Sequence, residues 1–193
     1  MNDLFNAPVF DELYTTEMVK RCHAMLLETF LWLNHATPFE NLEGIRANGL
    51  TPQDPGAIYI PTALIKMYGN PRAFICLSPL EHGRKWQHII KTDSSSGKML
   101  LAVPSASISE NIALDYSFRE PWFEFARDTP INQSAFLPRA FINAVSKSGV
   151  VITFLPIMPE HIRVKTNLAI LENPNTWPLL LDASDDEIEI ITK

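Results

Sequence analysis

The reactive residues of this chain exclude several kinds of chemistry by their spacing. Five histidines and two cysteines are present, but no HExxH helix and no CxxC pair that would hold a metal. His82 and His88 stand six positions apart, a poor spacing for one helix face, so no zinc site is expected. No GxGxxG turn, no GxxxxGK[ST] phosphate loop and no GxSxG nucleophile elbow occurs. Cys22 and Cys76 read as buried structural thiols rather than a disulfide framework, which fits a reducing compartment.

His35 is the histidine whose position has chemical meaning. It falls at the end of a strand-like run, two residues before Thr37-Pro38-Phe39-Glu40, which has the form of a capping box with proline at the first helical position. A side chain there leaves a sheet edge beside a helix N-terminus, where backbone N–H groups favour a polar or anionic ligand. Neutral imidazole can donate a hydrogen bond to a ribose hydroxyl. The same position also suits a satisfied, half-buried histidine. Among the acids, Glu120 and Glu124 flank Trp122 and Phe123, and a carboxylate beside tryptophan can have its pKa raised and act as a general base. The alternative places Trp122, Phe123 and Phe125 in the core, with the acids facing water or paired with Arg119 and Arg127.

These residues need elements to position them. Val19, Cys22, Leu26 and Phe30 recur at helical spacing, so a helix is expected over Thr16–Glu28, capped by Thr15 or Thr16. A strand at Phe30–His35 follows, then a helix over Pro38–Ala47 that ends at Asn48-Gly49. Phe74–Leu77 is a second strand, and Ser78-Pro79-Leu80-Glu81 repeats the capping pattern ahead of a helix to about Lys91. Lys98–Val103 and Val150–Leu155 are further strands. Ile162–Val164 and Leu168–Leu171 are also candidates, and Glu187–Ile191 alternates as an edge strand should. Pro104–Ala140 reads as mixed loop, short strand and short helix. Late strands without helices between them argue against a doubly wound parallel sheet. The expectation is a single α+β domain, with residues 1–30 as a helical N-terminal segment and residues 31–193 as the main body.

Composition supports a folded domain of this size. With 46% hydrophobic and 10% aromatic residues, 193 positions can bury a core without covalent staples. Sixteen basic against twenty-two acidic residues give a net charge of −6, which argues against a surface dedicated to coating nucleic acid. No apolar run is long enough for a transmembrane helix, and the polar, acidic start is unlike a signal peptide. A cytoplasmic location without membrane association is the corresponding expectation.

The order Leu33-Asn34-His35-Ala36-Thr37, then Asn41-Leu42, Ile45 and Gly49-Leu50, resembles the opening motif of the ADP-ribosyltransferase superfamily, in particular the toxins that modify DNA. Ile75-Cys76-Leu77-Ser78-Pro79 followed by Trp86 is similar to that family's second strand. Val150–Phe154 with Pro156-Ile157-Met158-Pro159-Glu160-His161-Ile162 is similar to its closing segment, so the likeness spans about residues 33 to 164. The resemblance implies a split β-sheet or β-sandwich core with short helices, and NAD as the substrate, with no metal. His35 would hold the adenosine-side ribose and Thr37 would cap the helix beside it. Asn41 lies in the same motif. Tyr59 or Tyr68 would stack on nicotinamide, and Ser78 is either a further NAD-binding residue or a helix cap. The family's glutamate at the start of the late strand has no counterpart, since that slot reads Ser146-Lys147-Ser148-Gly149. Glu124 or Glu120 would then have to supply the catalytic carboxylate. Two functions follow as expectations. One is transfer of ADP-ribose to a macromolecular acceptor (protein or nucleic acid) or a small molecule. The other is a catalytically degenerate nucleotide-binding or protein-interaction module on the same fold.

Overall fold

The structure is a computed structural model, and it describes residues 15–53, 73–79, 97–114, 136–148 and 150–191. The chain divides into two compact units. The first draws its described residues from Met1–Thr29, Pro52–Cys76 and Ser109–Leu155, and the second from Phe30–Thr51, Leu77–Ile108 and Pro156–Lys193.

In the first unit, helix α1 covers Thr16–Thr29 and buries Val19, Cys22 and Leu26, the stripe its spacing predicts. Thr15 caps it: its hydroxyl accepts from the Met18 N–H at 3.2 Å, and Glu17 places negative charge in the first turn. Strands β4 (Ile112–Leu114) and β5 (Val151–Thr153) pair antiparallel, with Ala113 opposite Ile152. A helix at Phe136–Ser148 packs against α1. That helix was not expected. Pro138 falls within its first turn, where the missing N–H would have no intrahelical partner, so the proline does not break it. Ser146–Ser148 form its last residues rather than the start of a strand.

In the second unit, strands β2 (Ile75–Pro79, from Leu77 onward), β1 (Trp32–Pro38), β3 (Lys98–Pro104) and β6 (Arg163–Val164) lie in the order β2-β1-β3-β6. Every pairing among these four is antiparallel. Met99–Val103 are all buried, so both faces of β3 are covered. On one face Leu100 and Ala102 pack with Trp177, joined by Trp32, Ala36, Ala169, Leu171 and Ile191. On the other, Leu33, His35 and Thr37 stand opposite Val103, Leu101 and Met99. The outer edge of β6 is covered by the C-terminal segment, where Val164 N–H donates to Pro178 at 3.1 Å and Leu180 N–H to Ile162 at 2.8 Å.

Helix α2 is Leu42–Asn48, preceded by a 3-10 turn at Phe39–Asn41, and it starts later than the capping pattern predicts. Thr37 and Pro38 remain in β1 because they pair with Met99 and Lys98, and Phe39 N–H donates to Gly97. The expected capping box therefore does not form, and neither Pro38 nor Asn41 caps with its side chain. Gly49 ends α2 at φ +72°, and a Cβ there would stand 2.0 Å from the Ile157 carbonyl oxygen. That close approach lets Leu50 and Ile157 exchange two backbone hydrogen bonds of 2.9 Å. Arg46, one turn back, donates to Asp185 at 2.6 Å, to the Ala183 carbonyl at 2.6 Å and to Glu43 at 2.8 Å, tying α2 to the C-terminal segment.

Two other strand expectations fail. Leu168–Leu171 is a turn, with Leu168 96% exposed, because Ala169 N–H closes back on Thr166 and Asn173 N–H on Ile170. Glu187–Ile191 is reduced to isolated pairings of Ile188 with Thr166 and Ile191 with Lys98. The α+β character is as expected, and the antiparallel pairing agrees with the argument against a doubly wound parallel sheet. No helix among the described residues is long and apolar enough to cross a membrane.

Candidate functional site

β1 positions His35. The residue is half-buried, opposite Leu101, and shares its face with Leu33 and Thr37. Two residues further along a strand is a rise of about 7 Å, which sets the spacing between His35 and Thr37. Thr37 is 5% exposed, and its hydroxyl oxygen accepts from the Asn41 side-chain amide at 3.0 Å. The chain leaves the strand at Pro38, turns through Phe39–Asn41 and brings Asn41 back onto Thr37. Thr37 and Asn41 are thus joined at the end of β1, with His35 two residues back on the same face as Thr37, and the exposed Asn41 amide keeps donor and acceptor capacity facing solvent.

This corner can hydrogen-bond a polyhydroxyl or amide-bearing ligand. Its electrostatic assistance from α2 is smaller than the sequence suggests, because the helix has only seven residues and begins after a 3-10 turn. Thr37 does not cap that helix, since its oxygen is engaged with the Asn41 side chain. Ser78 is fully buried and directly opposite Asn34, so it lies on the face of the sheet away from His35. Tyr59, Tyr68, Glu120, Glu124 and Trp86 lie outside the described residues. Within β5, Val151, Ile152 and Thr153 are buried and supply no carboxylate. Among the described residues no group of three or more histidine, cysteine, aspartate or glutamate side chains could hold a metal ion.

The Cys22 thiol is not activated. Neither cysteine is in a disulfide, and burial pushes the Cys22 thiol up to about 12, outweighing the opposing pull of neighbouring Arg21. Arg46 is held charged beyond its ordinary value, first by its hydrogen bond to Asp185. A buried cation, Lys165, donates to Glu189 at 2.6 Å and to the Thr166 carbonyl at 2.7 Å, and so fastens the C-terminal segment.

Two polar residues gain their significance only from the fold. Asn34 sits inside the apolar run Phe30–His35, yet it is 3% exposed. Arg163 lies between Ile162 and Val164 with its guanidinium over the Trp32 ring, 5.7 Å from the centroid. A carboxamide inside an apolar strand and an arginine inside a β-branched one were the available signals.

No protein-family model matches this chain, and neither a curated protein nor a solved structure is significantly similar to it.

Proposed function

We propose that this chain is an ADP-ribosyltransferase-like protein that binds NAD at the β1 corner and transfers ADP-ribose to an acceptor. The observation that carries the reading is that Thr37 and Asn41, hydrogen-bonded at the end of β1, lie beyond His35 on its own face of the strand, all three within the motif that resembles the family's opening. In this reading the imidazole donates to a ribose hydroxyl, while Thr37 and Asn41, bonded to each other, hold the turn that shapes the corner. Positioning and charge stabilisation supply most of what such a transfer needs. Its carboxylate would be Glu124 or Glu120, and nicotinamide would be covered by Tyr59 or Tyr68.

A second reading is favoured by one specific observation: the slot expected to hold the family's glutamate is the end of a helix, and the strand after it is apolar. On that reading the chain is a nucleotide-binding module without turnover. Calorimetric titration with NAD, followed by an assay for nicotinamide release, separates the two. Binding with release that is lost in Glu120→Gln or Glu124→Gln supports the transferase. Binding that needs His35 but gives no release supports the module, and no binding removes both.

A further inference from the structure

The face of the second unit's sheet away from His35 carries polar groups that the β1 corner does not use. Asn34 stands opposite Ser78 of β2 on one side and Ala102 of β3 on the other, and Ala102 stands opposite Arg163 of β6. Directly opposed residues share a face, so Ser78, Asn34, Ala102 and Arg163 form one row across four strands. Among the described residues neither the carbonyl oxygen nor the amide nitrogen of Asn34 has a hydrogen-bond partner, although the residue is 3% exposed. Buried polar groups in native proteins are nearly always satisfied, and an exception calls for an explanation.

The explanation lies in the same row. Arg163 is half-buried, and one of its nitrogens donates to the Trp177 carbonyl. Among the described residues it has no carboxylate within ion-pair distance; the ion pairs there belong to Lys20, Arg46 and Lys165. Its guanidinium lies over Trp32, which is two residues before Asn34 and on the same face. Only the methyl group of Ala102 stands between Arg163 and Asn34 in the row. Trp177, 1% exposed, closes over Leu100 and Ala102, with its indole N–H donated to the Ile170 carbonyl at 2.7 Å.

We propose that this row is a second ligand site, distinct from the β1 corner, and that it takes inorganic phosphate in a protonated form. Arg163 supplies the positive charge and further donors, and the Asn34 amide nitrogen donates to a phosphate oxygen. The Asn34 carbonyl oxygen needs a donor, which a protonated phosphate has and sulfate lacks. Trp177 packs over Ala102 in this row, so an ester tail would have to hold it displaced, which favours the free ion over a phosphorylated metabolite. Entry requires the Trp177 segment to lift, and the anion competes with the Trp177 carbonyl for Arg163.

The test is calorimetric titration of the full chain with inorganic phosphate, with sulfate and with glycerol phosphate. It is run at matched ionic strength and about pH 6, where the second ionisation of a phosphate is incomplete. Saturable phosphate binding is expected, with sulfate and the ester each weaker. Asn34→Leu and Arg163→Gln should each lower affinity at least about tenfold, the loss of one hydrogen bond to a charged partner. His35→Ala should bind phosphate as the unaltered chain does, which separates this site from the NAD reading. The proposal is overturned if the chain shows no saturable phosphate binding, or if sulfate binds as well as phosphate. It is equally overturned if His35→Ala abolishes binding or if Arg163→Gln leaves it unchanged. The Arg163 variant decides the matter even if Asn34→Leu does not fold.

Discussion

Replacing Asn34 with leucine exchanges a carboxamide that has two unmet polar atoms for an apolar side chain of nearly the same volume. The site is 3% exposed and surrounded on its face by Trp32, Ala36, Leu100 and Ala102. Each unmet buried group costs about 1–3 kcal/mol, and both the amide nitrogen and the carbonyl oxygen are unmet. Leucine branches differently, and a shape change in a packed core returns up to about 1.5 kcal/mol. The net expectation is a gain of at least about 0.5 kcal/mol. For a chain of this length that is a midpoint rise of at least about 1–2 °C. Urea unfolding in a buffer free of oxyanions measures it, with a higher midpoint and an unchanged slope as the signature of altered stability. In saturating phosphate the advantage should shrink, because a ligand that binds only the folded, unsubstituted chain stabilises it by mass action. A loss of more than about 1 kcal/mol in the leucine variant would refute the reasoning, since it would mean that the Asn34 amide has partners in the folded chain.

Four further substitutions have defined outcomes. Gly49→Ala combines a positive φ with a Cβ 2.0 Å from the Ile157 oxygen, so it should cost at least about 2 kcal/mol by urea unfolding; a change within about 0.5 kcal/mol would show that the turn relaxes freely. Arg46→Ala releases the Ala183 carbonyl and Asp185 together, and should speed exchange of the Leu180 and Ala183 amides. Asp185→Ala, at a side chain 61% exposed, should cost less than about 1 kcal/mol, and equal effects of the two would contradict the hub role of Arg46. Cys22 rises from 9.0 to about 12 on folding. The unfolded thiol therefore ionises first, and stability should be full below about 9 and fall as pH climbs toward 12, with Cys22→Ala flattening that fall. An identical alkaline profile in the variant would assign the loss to other groups.

Much of the local structure was legible because short-range rules dominate it. The stripe Val19, Cys22, Leu26 and the Thr15 cap specify α1 without tertiary help. Gly49 was recognisable as a stop because few other residues adopt its backbone angle. The helix over Phe136–Ser148 was obscured by Pro138, whose effect depends on its place in the first turn and not on its identity. The capping box at Thr37 failed because strand pairing with β3 runs through Pro38, a long-range contact that the local pattern does not contain. Leu168–Leu171 misled for the opposite reason: an apolar run looks like a strand, but here its backbone closes on itself in turns. The β1 corner was visible through His35 and Thr37. The row across the opposite face was not, because Asn34, Ala102 and Arg163 are brought together only by strand register.

Titration of the chain with NAD is the most direct test of the proposed nucleotide site at the β1 corner. Saturable binding is predicted, weakened at least about tenfold in His35→Ala through the loss of a buried hydrogen bond. Asn41→Ala should have a smaller effect, because its contact with Thr37 shapes the turn without reaching the ribose. Absence of NAD binding in the folded, unsubstituted chain, or unchanged affinity in the His35 variant, would contradict the account.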